Sequence, residues 1–191
     1  VALPEDNGRL LSEEHSLIAA AQQGDRQAFA LLVERYWDRL YRWLYHLSHD
    51  RHNAEDVAQE TFLKAFRGLN RFRAGSNFKA WLYRIAHNSL ANQRRAAARA
   101  RLVLPDDVPA DGEGPAEQAI SREALQLLAR AVARLPAEFR SAFLLRAEEG
   151  LSFREIADVL GLTEETARWR VFKARQKLLG VLAPQLDTEK P

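Results

Sequence analysis

The stretch Gly150-Leu151-Ser152-Phe153-Arg154-Glu155-Ile156-Ala157-Asp158-Val159-Leu160-Gly161-Leu162-Thr163-Glu164-Glu165-Thr166-Ala167 decides the fold. It reads as two short helices joined by a tight turn, a helix-turn-helix. Ser152 and Glu155 make a capping box that satisfies amide donors left free in the first turn. Ile156, Ala157 and Leu160 supply a buried stripe, with Ala157 small where two helices cross closely. Gly161 stands where the turn needs a left-handed backbone, which glycine adopts without a Cβ penalty. Thr163 caps the second helix, and Thr166 lies on its first full turn. Along that helix Ala167, Val171, Ala174 and Leu178 fall on one side at helical spacing, which marks the core face.

Trp169, Phe172, Lys173 and Gln176 lie roughly opposite that seam, flanked by Arg168 and Arg175. Between Thr166 and Leu186 there are five basic residues and no acid. Such a helix suits a DNA major groove, where Arg and Lys meet guanine edges and phosphates and aromatic rings touch thymine methyls. The competing reading is a solvated basic face on an ordinary helical bundle, with Trp169 and Phe172 buried against a neighbour. The caps, small residue, turn glycine and basic helix together favour DNA. On this reading Arg168, Trp169, Phe172 and Lys173 meet base edges. Arg154, Arg170, Arg175 and Lys177 hold phosphates, with Thr166 beside them.

Working outward, helical periodicity is widespread and period-two alternation is nearly absent, so the class is all-α. Ser12-Glu13-Glu14 opens a first helix ending near Gln23, before Gly24. Asp25 caps a second, on which Phe29, Leu32, Val33, Tyr36, Leu40, Trp43 and Leu44 repeat at spacings of three and four. A polar turn is expected over residues 49–53. A third helix runs over 54–69, with Val57, Phe62, Leu63 and Phe66 on its apolar side. A loop over 71–77 precedes a fourth helix, 78–101, apolar at Phe78, Leu82, Ile85 and Ala86 and then increasingly basic. Further helices are expected over 117–135, stopped at Pro136, and over 137–149, stopped at Gly150. The last two cover 153–160 and 163–182.

Residues 105–115 hold three prolines, two glycines and four acids, which marks a linker. The expected organisation is two small helical domains, 12–100 and 120–182, joined by a flexible linker over 101–119. The 191-residue chain carries a net charge of only +2, unevenly spread. Residues 1–100 hold 15 basic and 11 acidic side chains, 101–120 hold one and five, and 121–191 hold 12 and 10. Two mildly basic blocks therefore flank an acidic bridge, which permits nucleic-acid binding by both. No cysteine is present, which excludes disulfides, thiolate metal sites and cysteine nucleophiles. Neither a signal peptide nor an apolar run long enough to cross a bilayer is seen. His46, His49 and His52 have spacing that could attract zinc, but they straddle a turn and lack a fourth ligand type. A solvated turn explains them better, and no metal or cofactor is expected. No phosphate loop or nucleophile–base pair supports an enzyme.

Three runs carry a family resemblance. Asn53-Ala54-Glu55-Asp56-Val57-Ala58-Gln59-Glu60-Thr61-Phe62-Leu63-Lys64-Ala65-Phe66 resembles region 2.2 of bacterial sigma factors. Phe78-Lys79-Ala80-Trp81-Leu82-Tyr83-Arg84-Ile85-Ala86-His87-Asn88 resembles regions 2.3 and 2.4, and residues 150–178 are similar to region 4.2. The three occur in family order and span about residues 12–182. Nothing resembles region 1.1 or a folded region 3, which points to the minimal extracytoplasmic-function (ECF, group 4) type of the sigma-70 family.

The resemblance implies a non-enzymatic, cytoplasmic transcription initiation factor, stress- or envelope-responsive, that directs core RNA polymerase to promoters. Its implied partners are the polymerase β′ clamp coiled coil and β flap, promoter DNA, and an anti-sigma factor able to hold it at the inner membrane. Glu55, Asp56, Gln59 and Glu60 would dock polymerase. They cluster within about one and a half turns, opposite the apolar side, as suits a basic helical partner. The alternative, acids favoured at a helix N-terminus, explains Glu55 and Asp56 better than Gln59 and Glu60. Lys79, Trp81, Arg84, Asn88, Arg94 and Arg95 would engage the −10 element, since aromatics beside cations suit single-stranded bases. Trp81 could equally be core. Ser76 and Asn77, in the loop before that helix, would read an extruded base. Two rival classes stay open: a helix-turn-helix repressor or activator working without polymerase, and an adaptor that binds polymerase without reading DNA. An enzyme built on the histidines is more distant.

Overall fold

The computed structural model describes residues 4–73, 75–101 and 119–186. All regular structure there is helical. The chain divides into two compact units, one of residues 1–44 and 51–104 and the other of residues 45–50 and 105–191. The acid- and proline-rich bridge, apart from its two ends, lies outside the described residues.

The first unit contains α1 (Pro4–Gln22), α2 (Arg26–Ser48) as far as Leu44, α3 (Arg51–Gly68), a 3-10 turn (Leu69–Arg71) and α4 (Phe78–Arg101). α1 begins at Pro4, well before the expected Ser12. Proline suits a first helical position, where its missing N–H costs nothing. Gly24 turns the chain at φ 95°. Asp25 then caps α2, its Oδ1 accepting from the amides of Gln27 at 2.8 Å and Ala28 at 3.1 Å. The expected five-residue polar turn contracts to His49 and Asp50. His49 takes φ 54°, and Ser48 Oγ accepts the Asp50 amide at 3.3 Å. This local hydroxyl bond closes the turn early and starts α3 three residues sooner than expected.

Leu32, Leu40, Trp43 and Leu44 of α2 pack into one core with Val57, Ala58 and Phe62 of α3 and Phe78, Leu82, Tyr83 and Ala86 of α4. Trp43 meets Tyr83 edge-on at 5.2 Å. On α3 the buried positions are Ala54, Val57, Ala58, Thr61, Phe62 and Ala65, a clean three–four repeat. That repeat excludes Leu63 and Phe66, which were expected on the apolar side. Leu63 is 57% exposed and faces outward, whereas Phe66, 45% exposed, stands at the margin of the core with its ring edge-on to buried Phe29 at 5.0 Å.

The second unit contains α5 (Ala119–Ala133), α6 (Ala137–Ala147), α7 (Phe153–Leu160) and α8 (Glu164–Leu186). α5 ends two residues before the expected Leu135, and its expected start at Glu117 lies outside the described residues. α6 ends at Ala147, two residues before the expected Glu149. The Leu151 amide then returns to the Leu145 carbonyl at 3.1 Å, with Gly150 left-handed at φ 68°. This closure satisfies carbonyls that the helix end would leave free. α8 runs four residues past the expected Leu182.

Candidate nucleic-acid interface

The α7–α8 corner is built by its caps. Ser152 Oγ accepts the Glu155 amide at 3.2 Å, while the Glu155 carboxylate accepts the Ser152 amide at 2.8 Å. Gly161 sits at φ 67°, ψ 42°, and the Leu162 amide reaches the Ala157 carbonyl at 2.9 Å. Thr163 Oγ1 accepts the Thr166 amide at 3.2 Å and starts α8. Ala167, Val171, Ala174 and Leu178 are buried, as their spacing requires. The same rotation turns Trp169 and Phe172 outward, at 49% and 54% exposure. That decides against both aromatics being buried on a neighbour. Trp169 is braced rather than covered, its ring meeting Phe139 edge-on at 5.5 Å.

The cations of this face are not equivalent. Arg168 Nη2 lies 3.0 Å from Glu164 Oε1. Its guanidinium also stands 5.2 Å from the Phe153 ring centroid, and that of Arg146 stands 5.1 Å from the same ring. Arg146 in turn donates to the Leu151 carbonyl at 2.8 Å. Arg170 is largely covered and turns toward α6, 3.5 Å from Glu138. Lys173 Nζ donates to Gln176 Oε1 at 3.1 Å. Arg154, Arg175 and Lys177 are exposed, and Thr166 is half-buried. Arg146, Phe153 and Glu138 did not stand out in the sequence. Their roles come from contacts across helices, which one-dimensional spacing does not display.

In the first unit the loop before α4 is framed by aromatic rings. Phe72 lies 5.1 Å from Trp81 and 5.5 Å from Phe78, and Phe78 lies 5.6 Å from Trp81. Trp81 is half-buried, so it belongs partly to the core while keeping some open ring. Asn77 Oδ1 accepts the Ala80 amide at 3.1 Å and caps α4, a structural duty beside the reading role expected of it. Ser76, Arg84, Asn88, Arg94 and Arg95 are exposed and Lys79 is half-buried. These residues occupy the loop and one continuous helix. Arg95 Nη2 donates to Asn92 at 2.6 Å.

On α3, Glu55, Asp56 and Gln59 are exposed. Glu60 is half-buried and pairs with Lys64 at 2.6 Å. Lys64 Nζ also donates to Ser89 Oγ of α4 at 3.0 Å. Asn53 Nδ2 reaches Gln93 Oε1 at 3.1 Å, a second polar tie between these helices. The exposed Leu63 and Phe66 continue the acidic stripe along α3. Among the described residues no group of three metal-binding side chains comes together, and no helix is long and apolar enough to cross a membrane.

Comparison with known proteins bears on both units. The family model for sigma-70 region 2 matches residues 32–100, and that for sigma-70 region 4 matches residues 125–178. The RNA polymerase sigma-H factor of Pseudomonas aeruginosa is 37% identical over 188 residues, which cover 91% of this chain and 96% of that protein. The ECF RNA polymerase sigma-E factor of Haemophilus influenzae is 33% identical, covering 90% of this chain and 96% of that one. Among solved structures, the sigma factor RpoE of Bartonella quintana, in complex with the anti-sigma factor NepR, superposes with a TM-score of 0.70 at 29% identity. That match covers 81% of this chain and 96% of the solved one.

Proposed function

Because the chain belongs to the sigma-70 family, as an extracytoplasmic-function sigma factor, we propose a specific division of labour among its surfaces. It is a transcription initiation factor, not an enzyme, and it directs RNA polymerase to promoters. The first unit, over 12–100, docks core polymerase and engages the −10 element. The second, over 120–182, reads the −35 element, with 101–119 as linker.

The observation that carries this reading is the exposure of Trp169 and Phe172 among the cations of α8, opposite a fully buried seam. Ring faces held in water beside guanidinium and ammonium groups suit base edges and thymine methyls. Arg168, Trp169, Phe172 and Lys173 meet bases, while Arg154, Arg175 and Lys177 hold phosphates. Arg170, paired with Glu138, serves the phosphate backbone from the edge of the face, and Thr166 supports the N-terminal turn.

On α4, Trp81 offers a stacking edge beside Lys79, Arg84 and Asn88, and Arg94 and Arg95 follow the strand. Ser76 and Asn77 take an extruded base. Glu55, Asp56, Gln59 and Glu60 dock the basic β′ clamp coiled coil, and the second unit meets the β flap. An anti-sigma factor, such as the one that accompanies the solved Bartonella relative, would occlude the polymerase-binding faces. Leu63 and Phe66 give it an apolar seat. The protein works in the bacterial cytoplasm, where an anti-sigma factor can hold it at the inner membrane and release it under stress.

Charge reversal at Asp56 combined with Gln59→Ala tests the docking assignment. The double variant should lose core binding in a pull-down while keeping helicity. Unchanged core affinity would remove α3 from the docking surface.

A further inference from the structure

We propose that Gln22 is a positioning residue for the −10 loop. From α1 it fixes the geometry in which a base is read, without touching DNA itself. The proposal rests on the reading of that loop given above.

Gln22 Nε2 donates to two backbone carbonyls far along the chain, Leu69 O and Phe72 O, each at 2.9 Å. That uses both hydrogens of the carboxamide. The Leu69 carbonyl also accepts the Phe72 amide at 2.9 Å. One side-chain nitrogen therefore straps the 3-10 turn from outside, at the point where the chain leaves it for the loop. Phe72 is the residue that directly follows the 3-10 turn. It is buried, and its ring leans on Phe78 and Trp81. At the far end Asn77 caps α4 through the Ala80 amide. The loop is thus held at one end by a helix-capping amide and at the other by a residue from α1.

α1 is itself anchored. Ile18 and Ala21 are buried, and the Tyr36 hydroxyl of α2 donates to the Glu14 carboxylate. Gln22 is half-buried at the margin of the core. Losing its amide takes a donor from both carbonyls, of which Leu69 O keeps the Phe72 amide, and removes no core volume. What it releases is the start of the loop and the tilt of Phe72 against Trp81. A site whose supporting shell is loosened in this way loses discrimination before it loses its fold.

The test uses the full chain with core polymerase on two promoter libraries, one randomised at −10 with a fixed −35 and one the reverse. Gln22→Met matches the length and removes the donors. Gln22→Lys keeps donors within reach. With two neutral hydrogen bonds at stake, Gln22→Met should flatten base preference at one or two −10 positions by about tenfold, and Gln22→Lys should stay within about threefold of the parent. Preference at −35 should be unchanged in both. Gln22→Met with the parental −10 preference, or with output lowered evenly over all −10 variants, would overturn the proposal. So would a Lys variant as flattened as the Met one. A parent chain that itself selects no −10 sequence would instead refute the reading of the loop, which separates the two failures.

Discussion

Replacing Arg168 with Ala should relax preference at one −35 position rather than weaken all DNA alike. The size of the effect follows from what Arg168 already does in the free protein. Its guanidinium is paired with Glu164 at 3.0 Å, the two side chains being 64% and 50% exposed. An exposed pair at this helical spacing contributes about 0.3–0.5 kcal/mol. The contact with the Phe153 ring adds about 0.5–1 kcal/mol at an exposed site. Turning Arg168 to a guanine edge gives up part of both, against a gain of about 1–3 kcal/mol from a bidentate contact. The net loss in Arg168→Ala is then about 1–2 kcal/mol, or about five- to thirtyfold at the preferred base. The same reasoning makes Glu164 a competitor for Arg168, so Glu164→Gln should tighten binding by about twofold. The assay is selection on a library randomised at −35, with core polymerase, at two salt concentrations. Lys177→Ala provides the contrast. It should weaken every sequence similarly and reduce the salt slope by about one unit. If Arg168→Ala lowers binding evenly, with no change of preferred sequence, Arg168 only positions the helix and this view of α8 is wrong.

The remaining expectations concern modules and folding. Limited proteolysis of the free protein should cut first within residues 105–115 and leave two helical fragments; a resistant bridge would count against independent modules. Ser152→Ala should lower the stability of the second unit by about 1 kcal/mol through loss of the capping box, seen as a lower thermal midpoint. Gly161→Ala should cost about 1–2 kcal/mol, because the left-handed backbone there penalises a Cβ, although open space surrounds the position. Lys64→Met should loosen α3 from α4 by removing the Ser89 bond, and faster amide exchange at the facing turns of the two helices would report it.

The helix-turn-helix was legible because its signals are local. Ser152 and Glu155 meet three residues apart, and Gly161 and Thr163 act on their immediate neighbours. The buried seam of α8 follows from helical spacing alone, and so does the outward rotation of Trp169 and Phe172. What escaped was set by tertiary geometry. Gln22 carries no periodic signal, because its partners are backbone carbonyls 47 and 50 residues away. Leu63 and Phe66 are apolar and lie on a helix, yet Ala54, Val57, Ala58, Thr61, Phe62 and Ala65 already fill its inner face. Composition could not show that small residues and a threonine would be preferred inside. Arg170 read as one more cation until the fold brought Glu138 beside it.

The most direct test of the central claim is promoter-directed transcription by core polymerase supplemented with the purified chain, on templates randomised at −10 and −35. Transcripts should start at a fixed distance from a pair of selected elements and should vanish without the chain. Binding of the chain to duplex DNA with no chain-dependent transcript would contradict the account and leave a helix-turn-helix regulator that works without polymerase.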